Sequence, residues 1–378
     1  VGAHNATVVM GRTKTSEILA MASVTRDENG VAVVDSLNQA GREFEPGSVM
    51  KMVTVAAAYD MGAVQPSSRL PVPGSITLGD YTITDHDPNG GATLTVDQIL
   101  AQSSNVGTIK IAQSIGKDAL VDYLSRFGFG QMSPLGLLKE QSGVIREYWN
   151  ASDIGSVPIG QGITVTPLQM WAAYNVVANG GIYVPPRLVA DIVDAEGTHV
   201  VPDVGESRRV ISKSAAAKVN QSLQEVIEEG TGKEWQIDGF RIAAKTGTAY
   251  KPLGNGQGYG TRETRTYRSS FVGYFPASDP EISIMVMIDE PKPPLHLGTV
   301  AAGPVFDALA KEAMRRYAIA GDDVPPDRGP IRAEPAVRAA PAPDPERRAG
   351  VDEVGSDSAE APDPDGTEDP AGTGGEGV

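Results

Sequence analysis

Apolar positions along the chain change period twice. Thr7-Val8-Val9-Met10 and Glu17-Ile18-Leu19-Ala20-Met21-Ala22 are short apolar runs, and the polar stretch Gly11 to Ser16 between them is turn-like, which predicts a β-hairpin. Val24 to Glu45 is polar with scattered apolar positions and reads as a connection. After the Pro46-Gly47 break the chain is largely apolar from Val49 to Met61 and stops at Gly62, the pattern of a buried helix entered through a turn. Residues 63 to 93 are rich in Pro, Gly, Ser and Thr, with strand-like pieces such as Tyr81-Thr82-Ile83-Thr84. Helical spacing then returns. Thr95 is placed to cap a helix through Val96, Ile99 and Leu100, and Val106 to Ile115 forms the next. Asp118 to Phe127 is another, stopped by Gly128, and residues 129 to 160 are irregular. Thr166-Pro167 opens a helix through Leu168, Trp171, Ala172 and Val176, and Ser214 to Glu229 is amphipathic up to Gly230.

Beyond residue 240 the period changes. Arg241 to Thr248, Ser269 to Phe275 and Glu281 to Asp289 read as three strands, the last two joined by the turn Pro276-Ala277-Ser278-Asp279-Pro280. Gly303 to Ala320 reads as a final helix. Strands at both ends of a helical middle imply an α/β fold of the α+β type: one mainly antiparallel, five-stranded sheet flanked by helices from both ends of the chain, plus a helical subdomain. The expected domain is 1–321, with 1–24 and 241–321 forming the sheet part and 48–240 mostly helical. From Gly321 onward Pro, Ala, Gly and acids dominate and no aromatic residue follows Tyr317, so 322–378 is expected to be a disordered tail.

Composition narrows the function classes. The formal charge is −16, and Asp322 to Val378 holds fifteen acids against five bases, so most of the imbalance belongs to the tail. With no basic stripe and the wrong sign, nucleic acid is not an expected partner. The absence of cysteine removes disulfides, thiolate metal sites and cysteine nucleophiles. The longest apolar runs are too short to span a bilayer and no signal peptide is visible, while the start at Val1 reads as a fragment or a processed form.

Candidate chemistry begins at Ser48 and Lys51. Three residues apart at a helix start, they share one face, and a lysine in an apolar setting can become the base that a serine nucleophile needs. The spacing alone is weak: roughly one or two chance matches are expected in a chain this long, and Ser114 with Lys117 is one. Two further motifs follow, Ser103-x-Asn105 at a helix–helix junction and Lys245-Thr246-Gly247 on a strand. Ser36-Leu37-Asn38 also matches the second motif but precedes the nucleophile. All three in this order and these settings form the signature shared by serine β-lactamases and penicillin-binding proteins. Other features take blander readings. His4, His86, His199 and His296 are scattered, and Asp85-His86-Asp87 reads as a loop before it reads as a metal site. Asn5-Ala6-Thr7 reads as the first strand, Trp171 as helix core, Tyr250 to Arg268 as an ordinary mobile loop rather than the border of a substrate groove, and the acidic tail as a solvated spacer rather than a partner-binding arm.

With these residues in view, the chain resembles the transpeptidase domain of class B penicillin-binding proteins over roughly residues 5 to 320. Gly11 to Ser23 is similar to the family's opening hairpin, Glu45-Pro46-Gly47-Ser48 to its approach to the nucleophile, and Gly160-Gln161-Gly162-Ile163-Thr164-Val165-Thr166-Pro167-Leu168-Gln169 to its segment beside the active site. Ala243 to Ala249 and Phe271-Val272-Gly273-Tyr274-Phe275-Pro276 match its sheet strands, in the manner of the division-specific penicillin-binding protein 3 branch. The resemblance implies a serine-type D-Ala-D-Ala transpeptidase that cross-links peptidoglycan stem peptides and is acylated by β-lactams, with no cofactor or metal. Its implied roles are Ser48 as nucleophile, neutral Lys51 as base, and Ser103 as proton relay to the leaving D-alanine. Asn105 would bond the substrate amide, and Lys245, Thr246 and Thr248 would hold the terminal carboxylate. Gly247 would let the substrate lie against the strand, and the backbone N–H groups of Ser48 and Thr248 would form the oxyanion hole. Burial, Lys245 and the helix start would all depress the Lys51 pKa. Implied partners are a peptidoglycan glycosyltransferase and other division proteins. Implied placement is the outer face of the bacterial cytoplasmic membrane, through an N-terminal anchor outside this sequence. Two other readings stay open: a penicillin sensor, D,D-carboxypeptidase or β-lactamase with the same acyl-serine, and a catalytically idle scaffold.

Overall fold

The opening hairpin forms as β1 (Asn5–Arg12) and β2 (Ile18–Arg26), in register from Asn5 opposite Thr25, with an irregularity between Met10 and Gly11. A short β3 (Ala32–Val34) continues outward from β2. The strands from the other end of the chain are β4 (Ala243–Tyr250), β5 (Tyr267–Phe275) and β6 (Ile282–Asp289). They complete one antiparallel sheet in the order β4-β5-β6-β1-β2-β3, closed by β1 lying against β6 with Asn5 opposite Asp289 and Arg12 opposite Ile282. The computed structural model describes residues 1–79, 81–85, 91–146, 149–150, 152–253, 258–261 and 264–322. His86 and the tail beyond Asp322 lie outside them.

The sheet therefore has six strands where the sequence pattern implied five. The extra one is three residues long and exposed throughout, so it carries no alternation to read, and it lies in the stretch taken for a connection. In the centre the pattern is plain. All eight residues of β6 are buried because helices cover both faces. Met285 and Met287, with Val9, Val272 and Tyr274, face one apolar cluster; Ile284, Val286 and Ile288, with Phe271 and Phe275, face the other.

The first cluster is roofed by helices from the middle of the chain: α1 (Lys51–Asp60), α2 (Val96–Ala101), α3 (Asn105–Ile115), α4 (Lys117–Arg126), α5 (Pro167–Ala178) and α6 (Lys213–Glu228). α1 and α5 are buried almost all round, as helices must be when they run through the inside of a domain, whereas α6 buries one stripe. Thr95 and Thr166 each close a capping box with a glutamine three residues on, Gln98 and Gln169. The opposite face is covered by α7 (Gly303–Arg316), whose Phe306 lies 4.6 Å from the Phe271 ring and meets Phe275 edge-on at 6.5 Å. α7 stops at Arg316, short of the expected Ala320, because Ala318 turns to φ +50°. Among the described residues no helix is long and apolar enough to cross a membrane.

Candidate active site

Ser48 sits on the turn that feeds α1. Gly47 to Met50 form a single 3-10 turn, and α1 begins at Lys51, so serine and lysine straddle the change from the tighter helix to the α-helix. The turn is pinned by its glycine. Gly47 has φ +59°, its N–H donates to the carbonyl of Gly160 at 2.9 Å, and a Cβ there would come within 2.9 Å of the Ala249 Cβ on β4. Gly160 presses so closely on Gly47 that a side chain at 160 would fall 2.1 Å from the Gly47 oxygen. Gly162 donates its N–H to Glu45 Oε1 at 3.2 Å, and Tyr259 donates its hydroxyl to Glu45 Oε2 at 2.8 Å. Burial raises the Glu45 pKa, and these two bonds oppose the rise. The Gly-Gln-Gly segment thus braces the serine turn against the edge of the sheet.

Lys51 is fully buried and turns into the α2–α3 junction. Its Nζ donates to the carbonyl of Ser103 at 2.5 Å and to Asn105 Oδ1 at 2.7 Å, and lies 3.2 Å from Ser103 Oγ. A neutral amine has two N–H donors and one lone pair. With the carbonyl and the amide oxygen taking the donors, the lone pair is left to accept a proton from a hydroxyl. Burial lowers the Lys51 pKa to about 7, and the charge of Asp85 pulls it back up. Lys245, also fully buried, projects from β4, where its Nζ donates to the Thr246 carbonyl at 3.0 Å. Its pKa is held well below the usual lysine range, first by burial and then by the charge of Lys51. Two ammonium groups buried this close disfavour one another. Depression by burial matches the sequence expectation, while the opposing pull of Asp85 had no signal in it.

The three motifs converge through these contacts. Lys51 binds both polar residues of Ser103-x-Asn105, and the turn at 46–49 lies against 247–249 of β4. A Cβ on Gly247 would meet Ser270 Oγ at 2.4 Å, Val49 Cγ1 at 3.1 Å and the Pro46 carbonyl at 3.4 Å. Room for a substrate was the expected reason for Gly247; packing of the serine turn on the strand already requires it. Ser103 adopts φ +57°, a region costly for any residue with a Cβ. Asn105 donates Nδ2 to the Thr84 carbonyl at 3.0 Å, which leaves one N–H and one lone pair for a ligand amide. Thr248 Oγ1 accepts from the Gly298 N–H at 2.8 Å, so its hydroxyl hydrogen is free to point elsewhere. The decoy pair stays apart: Ser114 is exposed and bonds back to Ile111, and Lys117 starts the next helix.

Residues the sequence did not single out complete the frame. Thr231, in the Gly-Thr-Gly turn after α6, lies 2.8 Å from Thr246 Oγ1 and donates its N–H to the Ala101 carbonyl at 3.1 Å. It therefore ties the lysine strand to the end of α2. A polar turn between a helix and a strand offered no signal of that tie.

Residues 6–311 match the family described as "Penicillin binding protein transpeptidase domain". Penicillin-binding protein PbpB of Mycolicibacterium smegmatis is 35% identical over 348 residues, covering 87% of this chain and 52% of that protein. Peptidoglycan D,D-transpeptidase FtsI of Escherichia coli is 32% identical over 331 residues, covering 85% of this chain and 53% of that protein. The chain thus spans about half the length of these curated relatives. The crystal structure of penicillin-binding protein 3 from Mycobacterium tuberculosis in complex with aztreonam superposes with a TM-score of 0.77 at 33% identity, covering 86% of this chain and 75% of that one. Ser48, Lys51, Ser103, Asn105 and Lys245 converge within a fold that matches over most of its length, and the chain belongs to the penicillin-binding protein transpeptidase domain family.

Proposed function

We propose that this chain is the catalytic domain of a peptidoglycan D,D-transpeptidase that works through an acyl-enzyme on Ser48. The observation that carries the reading is the Lys51 amine, buried, bonded to Ser103 and Asn105, and poised near neutrality at the base of the serine turn. Neutral Lys51 takes the proton of Ser48 Oγ as that oxygen attacks the carbonyl of the penultimate D-alanine of a stem peptide. The backbone N–H groups of Ser48 and Thr248 hold the developing oxyanion, a contribution typically worth about 3 kcal/mol per donor. Ser103, 3.2 Å from the amine, relays the proton from Lys51 to the departing D-alanine nitrogen. Asn105 orients the substrate amide, and Lys245, Thr246 and Thr248 hold the terminal carboxylate. The amine of a second stem peptide then attacks the acyl-serine, releasing Ser48 and forming the cross-link. A β-lactam enters the same first step and stays bound. Two acids close to this chemistry, Glu45 and Asp85, have both carboxylate oxygens bonded to protein groups, which favours a long-lived acyl-serine over rapid β-lactamase turnover.

The setting proposed is septal wall synthesis in a bacterium, in concert with a glycosyltransferase and other division proteins. The domain would work on the outer face of the cytoplasmic membrane, carried by an anchor in a part of the protein outside this sequence. Support comes from the resemblance to the penicillin-binding protein 3 branch and the likeness to PbpB and FtsI. The proposed domain is 1–321, followed by the acidic Pro-, Ala- and Gly-rich tail 322–378. A fluorescent penicillin tests the acyl-serine: stable covalent label on the wild type, lost in Ser48→Ala, is expected. No label on folded wild-type protein would leave an idle scaffold, and rapid turnover of the label would indicate a β-lactamase.

A further inference from the structure

One buried acid beside the site has no part in the chemistry above. Asp85 follows the strand Tyr81–Thr84 and is 7% exposed. Its Oδ2 accepts the hydroxyl of Ser104 at 2.7 Å, and its Oδ1 accepts the N–H of Val106 at 3.0 Å. Ser104 in turn accepts the Gly107 N–H at 2.9 Å and caps α3. One residue back, the Thr84 carbonyl takes the Asn105 amide. Thr84 and Asp85 therefore grip Ser104, Asn105 and Val106 in succession, directly after Ser103 in its left-handed conformation. A serine stays in that conformation only where the surroundings over-determine it.

We infer that Asp85 is a positioning residue for the acylation step: its carboxylate holds Ser103 and Asn105 around the Lys51 amine and sets the charge that this amine faces. The charge environment supports the second half. Asp85 acts on Lys51 from the segment after Tyr81–Thr84, and Lys245 faces it from β4. From the α2–α3 junction come only the uncharged Ser103 and Asn105, and α3 holds no charge before Lys110. Asp60 at the far end of α1 is engaged with Tyr123 and the Ser212 N–H, and Asp97 in the first turn of α2 with Ser222. α6 buries Val219, Leu223 and Val226, and none of its lysines or glutamates is buried. Among the described residues, Asp85 is thus the negative charge that acts on Lys51.

The inference rests on Ser48 acylation, and the experiment separates the two. Acylation by a fluorescent penicillin is followed as a function of pH in the wild type, Asp85→Asn and Ser104→Ala, with thermal melting as a check of folding. Asp85→Asn keeps an acceptor for Val106 but removes the charge and the acceptor for Ser104. Its plateau rate is expected to fall at least ~10-fold, and the acid limb is expected to move to lower pH by about one unit. A residue that only holds the fold together would lower the plateau without moving the limb. Ser104→Ala leaves the charge in place, so its plateau should drop while its limb stays with the wild type. A wild-type limb in folded Asp85→Asn, or normal acylation in Ser104→Ala, overturns the inference. Should Asp85→Asn fail to fold, Ser104→Ala decides alone. Absence of label on the wild type itself would overturn the acyl-serine reading, and this inference with it.

Discussion

Acylation of Ser48 should switch on with pH as Lys51 loses its proton. Burial holds the Lys51 pKa at about 7 against a usual 10.5. At pH 7.5 a pKa of about 7 leaves roughly three-quarters of the lysine neutral, where an ordinary lysine would be neutral in about 0.1% of molecules. Burial therefore supplies roughly 700-fold more base, about 4 kcal/mol of barrier that need not be met by proton loss during the reaction. The two engaged donors add direction, since they leave the lone pair as the one unoccupied position on the nitrogen. The assay is single-turnover acylation by a fluorescent penicillin between about pH 5.5 and 9.5. The rate is expected to climb about tenfold per unit below the pKa and to flatten above about pH 7.5. Lys51→Ala should fold, because Asp85 and Thr84 still hold the α2–α3 junction, and should acylate at least ~100-fold more slowly with no such limb. A wild-type rate that is flat across this range, or near-normal acylation by Lys51→Ala, would refute the assignment. The same burial has a cost. Because the folded-state pKa lies below the unfolded one, stability is reduced at pH 7 and below, and the loss is relieved as pH rises toward 10.5.

Lys245 gives a ligand-linked counterpart. Its pKa is depressed in the free protein, and a bound carboxylate favours the ammonium, so binding takes up a proton and weakens as pH rises. Ser48→Ala should therefore bind a penicillin progressively more weakly as pH rises, and an affinity independent of pH would remove Lys245 from the carboxylate site. Gly247→Ala would drive a Cβ to 2.4 Å from Ser270 Oγ and 3.1 Å from Val49. It should cost about 1–3 kcal/mol, seen as a fall in Tm, and it should slow acylation by displacing the serine turn; an unchanged melt would show that the strand gives way freely.

Much of this was legible in the residues. Short apolar runs bounded by turns marked β1, β2 and β4 to β6, because strands covered on both faces are apolar along most of their length. Capping residues marked where α2 and α5 begin, since the first N–H groups of a helix need a side-chain acceptor. The order of Ser48-x-x-Lys51, Ser103-x-Asn105 and Lys245-Thr246-Gly247 carried the chemistry. Other features left no local trace. β3 is too short to show alternation, and the bond from Tyr259 to Glu45 joins residues more than two hundred positions apart. Asp85 sat in a sequence that invited a metal, yet its oxygens go to Ser104 and Val106.

The sequence by itself determined the reacting groups and the elements that carry them, because hydrophobic period, caps and motif order are local properties of the chain. Motif order set Ser48 with Lys51 apart from Ser114 with Lys117, but spacing could not show the burial that turns one lysine into a base. Ser48 with Lys51 and Ser114 with Lys117 have the same spacing, but Lys51 is fully buried at the α2–α3 junction with Ser48 half-buried, whereas Ser114 is exposed and Lys117 only half-buried. Burial is a property of the assembled core, and burial is what turns a lysine into a base near neutral pH. That decision belongs to the tertiary structure, as do the close contacts of Gly47 with Gly160 and Ala249 that hold the serine turn at the sheet edge.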